Sequence, residues 1–263
     1  METTATRVEL SQFLWHELLT SDLNAAIDFY KHVIGWNTQA YDFQEHEGPA
    51  YTMWMAGEAP VGGVMQIDKE TMGDMPPGWT GYVHTPDVDE TIRKAKELGG
   101  TVIAEPMDIP TVGRMAGLAD PQGAVFWVLA PAPSEPMPEP PDVGSFSWNE
   151  LATTDYDAAF DFYRRLFGWK QWDDMDMGDG FMYRMFGQGE TMYGGIYNKP
   201  PEMPAPPHWM YYIKVEDIDA ALEGVKERGG QVLNGPMEVP GGDRVAACLD
   251  PEGVGFGLHE ANS

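Results

Sequence analysis

Apolar and polar positions alternate along the chain in a way that predicts short strands and amphipathic helices. Residues Phe13–Thr20 form an apolar run and predict a strand. Apolar residues then recur at spacings of three and four over 23–30, which predicts a helix that ends at Gly35. The segments WNTQAYDF, AYTMWMAG and APVGGVMQI follow, and their aromatic and β-branched residues between Gly, Pro and acidic turns predict three strands.

The same order of elements then begins again. TGYVHT predicts a strand, and a helix begins at Asp87. Asp87 and Glu90 have the spacing of a capping box, and Gly99 with Gly100 provides a stop. TVIAEPMDI, GRMAGLAD and AVFWVLAP predict three more strands. The order is therefore strand–helix–strand–strand–strand, twice in this half of the chain.

A long internal repeat doubles this arrangement. FLWHELLTSDLNAAIDFYKHVIGW (13–36) matches FSWNELATTDYDAAFDFYRRLFGW (146–169) at a shift of 133 positions. Residues 76–100 and 112–126 match 206–230 and 242–256 at a shift of 130. The chain thus contains four strand–helix–strand–strand–strand modules, and its predicted class is α+β.

A proline-rich segment separates the two halves. PAPSEPMPEPPD (131–142) contains six prolines, which remove backbone donors and favour an extended spacer. We therefore predict a first domain over 9–131, a linker over 132–142 and a second domain over 143–262.

Composition excludes several classes of protein. The net charge of −26 repels nucleic acids and anionic lipid, so a polyanion partner is not expected. No apolar run is long enough to span a membrane, and the N-terminal residues lack the pattern of a signal peptide. Cys248 is the single cysteine, which excludes an internal disulfide and a cysteine zinc site. A cytoplasmic protein is the expectation.

The motifs resemble those of the vicinal oxygen chelate superfamily, which includes glyoxalase I, bleomycin-resistance proteins and extradiol dioxygenases. The residues that carry the resemblance are Asp22-Leu23, Phe29-Tyr30, Gly35-Trp36 and Asp120-Pro121-Gln122-Gly123, with their counterparts Asp155, Tyr163 and Asp250-Pro251-Glu252-Gly253. The resemblance implies two tandem domains, each with two βαβββ modules that form a cupped mixed sheet. One such scaffold supports many chemistries, so the resemblance alone does not name a reaction.

Enzymes of the superfamily bind a divalent metal through His or carboxylate ligands on the inner face of this sheet. The resemblance places the first ligands at Trp15 and Trp148, the next at Thr80 and Met210, and another at Trp127 and Gly257. The remaining position falls near 62–65 and 194–196, where there is no carboxylate. Because Trp has no lone pair for a metal, we predict no cofactor, with a divalent metal as the alternative. A shift of two residues along the opening strand would keep the same face and place Glu17 and Glu150 at the ligand position, but the other ligands would still be missing.

Glu17 and Glu150 are the candidate catalytic residues. Each lies two positions after a Trp, hence on the same side of its strand. A buried carboxylate there could act as a general base, or it could be a structural group paired with an arginine. Arg114 and Arg244, each six residues before its Asp-Pro turn, are the predicted partners.

His16 is a weaker candidate for a metal ligand or a base, because its counterpart in the repeat is Asn149, which has no acid–base function. By alternation His16 points away from Trp15 and Glu17, toward a helix or the solvent. The many Met and Trp residues fit either core packing or an adaptable apolar pocket. The predicted substrate-binding set is Trp15, Trp54, Thr80, Arg114, Trp127, Trp148, Met210 and Arg244.

Two functions remain open from the sequence. In the first, the protein is a metal-free lyase or isomerase that acts on a small carbonyl or aromatic compound with a pocket Glu as acid or base. In the second, it is a non-catalytic protein that sequesters a small molecule, as bleomycin-resistance relatives do. Either way the partner is a small molecule, and the protein is a monomer of two pseudo-symmetric domains or a homodimer.

Overall fold

The computed structural model describes residues 11–41, 51–133, 138–178 and 180–262. Parts of the predicted strand WNTQAYDF and of the proline-rich linker lie outside these residues. No helix among those described is long and apolar enough to cross a membrane.

Within its described residues, the first half of the chain contains eight strands and three helices. In chain order they are β1 (Phe13–Thr20), α1 (Leu23–Ile34), β2 (Asn37–Tyr41), β3 (Tyr51–Ala56), β4 (Ala59–Gln66), α2 (Lys69–Met72), β5 (Gly78–His84), α3 (Val88–Glu97), β6 (Thr101–Ile109), β7 (Gly113–Ala119) and β8 (Val125–Pro131).

The second half repeats this order without a counterpart of α2. Its elements are β9 (Phe146–Thr153), α4 (Tyr156–Phe167), β10 (Lys170–Asp176), β11 (Met182–Gln188), β12 (Thr191–Asn198), β13 (His208–Lys214), α5 (Ile218–Glu227), β14 (Gln231–Glu238), β15 (Arg244–Leu249) and β16 (Gly255–Glu260). The α+β class and the four modules are thereby confirmed. The single turn α2, which the sequence did not predict, begins after Asp68, whose side chain accepts from the Glu70 N–H.

Each half forms one mixed sheet. The strand orders are β2-β3-β4-β1-β5-β8-β7-β6 and β10-β11-β12-β9-β13-β16-β15-β14. The first and last strands of a module are parallel neighbours, as β1 and β4 are, whereas its other pairs are antiparallel. The repeated sequence therefore produces a repeated topology.

Aspartates begin the four longer helices. Each cap side chain accepts a hydrogen bond from a backbone N–H in the first turn, which satisfies a donor that the helix itself leaves unpaired. These caps are Asp22, Asp87, Asp155 and Asp217. Gly35 and Gly168 end α1 and α4 in the left-handed conformation, at φ 83° and 76°, which glycine adopts without strain.

The modules form compact units that cross the halves of the sequence. One unit, the 15–81 unit, contains Trp15–Gly81, Pro133–Ala152 and His208–Ser263. The other, the 82–132 unit, contains residues 11–14 together with Tyr82–Ala132 and Thr153–Pro207. In the 15–81 unit α1 packs on α5, and in the 82–132 unit α3 packs on α4.

Buried tyrosine–aspartate hydrogen bonds join the modules within each unit. The Tyr30 hydroxyl donates to Asp250 Oδ2 at 3.2 Å, and the Tyr163 hydroxyl donates to Asp120 Oδ2 at the same distance. Both aspartates are at most 5% exposed and belong to the Asp-Pro turns. The sequence motifs that carried the resemblance therefore bind one another across the repeat.

The Gly-Trp motifs also reach across the repeat. Trp36 Nε1 donates to the Gly144 carbonyl at 2.8 Å, and Trp169 Nε1 donates to the Ser11 carbonyl at 2.6 Å. Both indoles are 1% exposed. Each therefore fixes the chain that leads into the opening strand of the other half.

His16 lies in the interior of the 15–81 unit. Its Nε2 is 3.0 Å from Asn149 Oδ1, and its ring stacks on Phe146 at 3.9 Å between centroids. His16 is 6% exposed and Asn149 8%, so the solvent-facing position considered for His16 is wrong. Burial lowers the pKa of His16 to about 4, and the hydrogen bond to Asn149 only partly offsets this. The neutral ring donates from Nε2 to the amide oxygen.

The first prediction concerns Tyr163→Phe. This change removes a donor from the buried Asp120, and we expect the free energy of unfolding at neutral pH to fall by about 1–3 kcal/mol. Burial raises the pKa of Asp120, and the Tyr163 bond opposes that rise. The loss should therefore be largest above the pKa of Asp120 and shrink as acid neutralises the carboxyl. Chemical denaturation at neutral and at acid pH measures both values.

Tyr156→Phe on the same helix is the matched control. It keeps the ring that lies 4.9 Å from the Arg184 guanidinium, so we expect a change below about 0.5 kcal/mol. Equal losses in the two variants would contradict the role given to the Tyr163 hydroxyl.

The second prediction concerns the acid sensitivity that His16 introduces. Its pKa is depressed in the folded state, so the unfolded chain binds more protons and stability falls as the pH drops from 6.5 toward 4. Through His16 the free energy of unfolding falls by roughly 3 kcal/mol over that pH range. His16→Gln keeps an amide donor near Nε2 and does not titrate, so its stability should decline less with acid. Parallel stability–pH curves for the two proteins would show the assignment to be wrong.

Candidate functional site

Glu17 belongs to a short chain of hydrogen bonds in the 15–81 unit. Trp15 Nε1 donates to the Tyr51 hydroxyl oxygen at 2.7 Å. Tyr51 is also hydrogen-bonded to Glu17, and because a carboxylate only accepts, the phenol proton points to Glu17. Burial, and next the charge of Glu17, raise the pKa of Tyr51 far above its ordinary value. Glu17, 9% exposed, is thus a buried carboxylate held by a phenol that remains protonated.

Gly63 makes room for this arrangement. It is the partner of Glu17 in the parallel register of β1 and β4. A Cβ at Gly63 would overlap the Tyr51 hydroxyl. Tyr51 therefore covers the position on β4 at which the resemblance expects a metal ligand.

Thr80 provides an unsatisfied hydroxyl on the neighbouring strand β5. It is 8% exposed, and its Oγ1 has no hydrogen-bond partner among the residues that the structure describes. Its repeat counterpart Met210 stands directly opposite Glu150 in the register of β9 and β13. The repeat therefore places Thr80 beside Glu17 on one face of the first sheet. A buried hydroxyl without a partner is costly, so it is a candidate to bind a ligand oxygen.

The second half surrounds its carboxylate differently. The Tyr212 hydroxyl donates to Glu150 Oε1 at 3.1 Å, so the phenol comes from β13. The Tyr212 ring covers Gly257, where a Cβ would overlap it. Met210, opposite Glu150, has no donor to offer a substrate. Tyr183, the counterpart of Tyr51, covers Gly195 as Tyr51 covers Gly63. The two halves therefore differ in Tyr212 and Met210 and share this tyrosine.

Trp127 and Trp148 are both partly exposed. In the 82–132 unit Trp127 lies beside Tyr82, with 5.4 Å between ring centroids. In the second half Gly257 stands at the position of Trp127, and this leaves the space that Tyr212 fills.

Both predicted arginine partners are elsewhere. Arg114 bonds Asp108 Oδ2 at 2.6 Å and Asp89 Oδ1 at 3.0 Å. The pairing of Arg114 with Glu17, and of Arg244 with Glu150, is therefore wrong. Arg244 likewise bonds Asp219 at 2.9 Å and Glu260 at 3.5 Å. The physical reason is that each arginine lies in the first two residues of its strand, within reach of an acidic residue in the first turn of a helix.

Trp54 is also not a pocket residue. It is fully buried, 5.3 Å from Trp36 and 5.7 Å from Tyr30 between ring centroids. Alternation along β3 turns Trp54 to the opposite face from Tyr51. Tyr51, which the sequence analysis missed, is the functional candidate on this strand, and the same alternation could have identified it.

The residues present do not fit the superfamily metal. Of the positions that the resemblance assigns to ligands, Trp15 offers an indole N–H that is bonded to Tyr51, and Gly63 offers nothing. The Tyr51 phenol holds its proton toward Glu17. Among the residues that the structure describes, no three His, Cys, Asp or Glu side chains form a group that could hold a metal ion. In the first half, Glu17 and Thr80 remain as candidates to act on a ligand.

Comparison with known proteins identifies the family. The family model "Glyoxalase/Bleomycin resistance protein/Dioxygenase superfamily" matches residues 12–128 and 145–258. "Putative glyoxylase CFP32" of Mycobacterium tuberculosis is 32% identical over 247 residues, which cover 93% of this chain and 92% of that protein. "Anthracycline biosynthesis protein DnrV" of Streptomyces peucetius is 33% identical over 258 residues, with 94% and 92% covered.

A solved structure shares the fold at low sequence identity. The Mn(II)-bound glyoxalase of Novosphingobium aromaticivorans superposes with a TM-score of 0.65 at 17% identity, covering 95% of this chain and 82% of that one. The matches span both halves, and the topology and the motif contacts agree with them. The chain belongs to the glyoxalase/bleomycin resistance protein/dioxygenase superfamily, with two tandem domains of that fold.

Proposed function

We propose that the protein is an isomerase or lyase that moves a proton on a small carbonyl or aromatic compound, with Glu17 as the general base and without a metal. The proposal is carried by the buried carboxylate Glu17 and the buried Thr80 hydroxyl, which has no partner within the described residues. The two lie on neighbouring strands, and the pairing of their counterparts Glu150 and Met210 places them side by side. A base and an oxygen-binding donor on one face are what proton abstraction next to a carbonyl requires.

The proposed step uses groups of the first half only. Glu17 removes a proton from the carbon next to the substrate carbonyl, and the Thr80 hydroxyl donates to the carbonyl oxygen as it gains negative charge. Glu17 then returns the proton to a neighbouring carbon or to the oxygen. Tyr51 holds the carboxylate in place, and Trp15 holds Tyr51. A general base of this kind contributes about 10²–10⁴-fold to a rate.

The relatives support the class of compound. The names of two relatives refer to a glyoxylase and to anthracycline biosynthesis, hence to carbonyl chemistry and to a fused-ring aromatic compound. The partly exposed Trp15 provides an aromatic surface next to Glu17 that suits such a ring. The charge of −26 favours a neutral or cationic small molecule over a nucleic acid, and we expect a cytoplasmic protein.

The alternative is a protein that sequesters a small molecule without changing it. One feature favours it: Glu17 and Glu150 each accept from a phenol, as purely structural carboxylates would. The two functions differ in whether a bound compound exchanges a proton.

The third prediction uses 2-hydroxyacetophenone in deuterated water as the probe. We expect the protein to catalyse exchange at the carbon next to the carbonyl, and Glu17→Gln to slow this exchange by at least about 100-fold. The affinity for the probe, measured by the quenching of Trp fluorescence, should change only a few-fold, because Gln has the same shape as Glu. Exchange is measured by proton NMR, with and without prior treatment with a chelator.

Glu150→Gln is the matched control and should leave exchange near the wild-type rate. If the probe binds and the wild-type protein catalyses no exchange, the protein sequesters rather than transforms. If both variants exchange at the wild-type rate, Glu17 is not the base. If the chelator abolishes exchange, the metal-free reaction is wrong.

The fourth prediction separates function from stability at Thr80. Thr80→Val replaces a buried, partnerless hydroxyl by a methyl group, so we expect an unchanged or higher free energy of unfolding, by up to about 2 kcal/mol. The exchange rate should nevertheless fall by about tenfold or more, because the developing oxyanion loses a donor.

Thr153→Val offers a control with the same chemistry. The Thr153 hydroxyl is fully buried and also lacks a partner within the described part of the chain. This variant should gain stability in the same way and keep its exchange rate. A Thr80→Val protein with full exchange activity would remove Thr80 from the reaction.

A further inference from the structure

Three residues far apart in sequence form a Ser–His–Asp arrangement in the 15–81 unit. The Ser147 Oγ lies 2.8 Å from His259 Nδ1, and His259 Nε2 lies 3.0 Å from Asp243 Oδ2. No nucleophile motif in the sequence indicated this set. A catalytic triad is recognised by the geometry of its groups and not by sequence spacing. Here the two imidazole nitrogens have exchanged roles, because Nδ1 faces the serine and Nε2 faces the carboxylate.

The hydrogen bonds determine where the protons are. The Asp243 carboxylate only accepts, so His259 carries its proton on Nε2. In the neutral ring Nδ1 then has a free lone pair, which the Ser147 Oγ faces at 2.8 Å. The one hydroxyl proton of Ser147 has two acceptors within reach, His259 Nδ1 and the more distant Tyr212 carbonyl. The contact with Nδ1 is the arrangement in which an imidazole can take the proton of an attacking serine.

Ser147 sits at a break in the strand pairing. In the register of β9 and β13, Trp148 pairs with Tyr212 and Phe146 pairs with Ile213, so Ser147 is an extra residue. Bulges of this kind redirect a side chain and occur frequently next to active sites. Ser147 is partly exposed, and its Oγ also lies 3.3 Å from the Tyr212 carbonyl.

Asp243 is held independently of the histidine. Its Oδ1 accepts from the Asn262 N–H at 2.8 Å, and its backbone closes a turn with Val239. The Asn262 N–H, and next the bond to His259, lower the pKa of Asp243. The carboxylate therefore stays ionised and can orient the imidazole and stabilise its charged form.

The arrangement lies next to the second carboxylate site. His259 is two residues after Gly257 on β16, hence on the same face, and Tyr212 covers Gly257 on its way to Glu150. The counterparts in the first half are Leu14, Gly113 and Leu129, which have no such chemistry. The set thus belongs to the second half alone and is not a product of the duplication.

We propose that Ser147 is the nucleophile of an acyl-transfer site that accepts uncharged carboxylic esters, with His259 as its base and Asp243 as a positioning residue. The Ser147 Oγ attacks the ester carbonyl while its proton passes to His259 Nδ1. The alcohol leaves with that proton, and an acyl-serine remains. Water, deprotonated by the same nitrogen, then releases the acid and regenerates the serine. This site shares no residue with the proton-transfer site at Glu17.

The fifth prediction tests this with the purified full-length chain and a fluorophosphonate probe. Ser147 should attack phosphorus and expel fluoride, which leaves one phosphonyl group that intact mass and peptide mapping place on Ser147. Ser147→Ala should abolish the adduct, and His259→Gln should slow labelling by at least about 100-fold. In hydrolysis of p-nitrophenyl acetate, Asp243→Asn should lower kcat at least about tenfold with KM changed less than about twofold.

Ser145→Ala is the matched control, two residues away. The Ser145 hydroxyl bonds the Asp142 carbonyl and has no histidine partner, so this variant should label like the wild type. Circular dichroism and thermal melting check that each variant folds. If His259→Gln does not fold, Ser147→Ala, which removes only one oxygen, provides the test by itself. A wild-type protein that is not labelled at Ser147, or labelling that persists in folded His259→Gln, would overturn the proposal and leave a purely structural hydrogen-bond set.

Discussion

The exchange of tyrosine and aspartate between the halves is the constraint on which the structure depends. Each Asp-Pro turn buries a carboxylate that needs donors, and the last of them comes from a helix of the other half. A half by itself would leave a buried Asp and a buried Tyr hydroxyl without these partners, which is expensive. The duplication therefore persists as a pair of interdependent halves, and the compact units cross the boundary between them.

This interdependence leaves the inner faces of the sheets free to diverge. Glu17 and Glu150 are counterparts in the repeat, and each half places a tyrosine over the same glycine, Tyr51 over Gly63 and Tyr183 over Gly195. Glu150 also accepts from Tyr212, whose ring lies over Gly257, where the first half has Trp127. The repeated scaffold thus carries different neighbours around its two carboxylates without a change in its core.

The partnerless hydroxyl of Thr80 and the bulge at Ser147 share a physical logic. A valine in place of Thr80 and a regular strand in place of the bulge would each be more stable. Both features therefore depart from what packing alone would favour. Departures of this kind are frequent at functional sites, where stability is lost for the sake of binding or reaction. Burial without a partner is not sufficient by itself, because the Thr153 hydroxyl shares it. What distinguishes Thr80 in the proposal is its place on the strand next to that of Glu17.

By itself the sequence determined the elements, the repeat and the fold, because these depend on local periodicity and on motifs within a few residues. β1 spans Phe13–Thr20 as predicted, and Gly35 ends its helix. The sequence also selected Glu17 and Thr80, since alternation along a strand decides which residues share a face. Tertiary structure alone decided the partners: Arg114 bonds Asp89 and Asp108, Trp54 enters the core, and Ser147 meets His259 across more than a hundred residues. Such pairs depend on strand register and on bulges, which arise only when distant segments pack together.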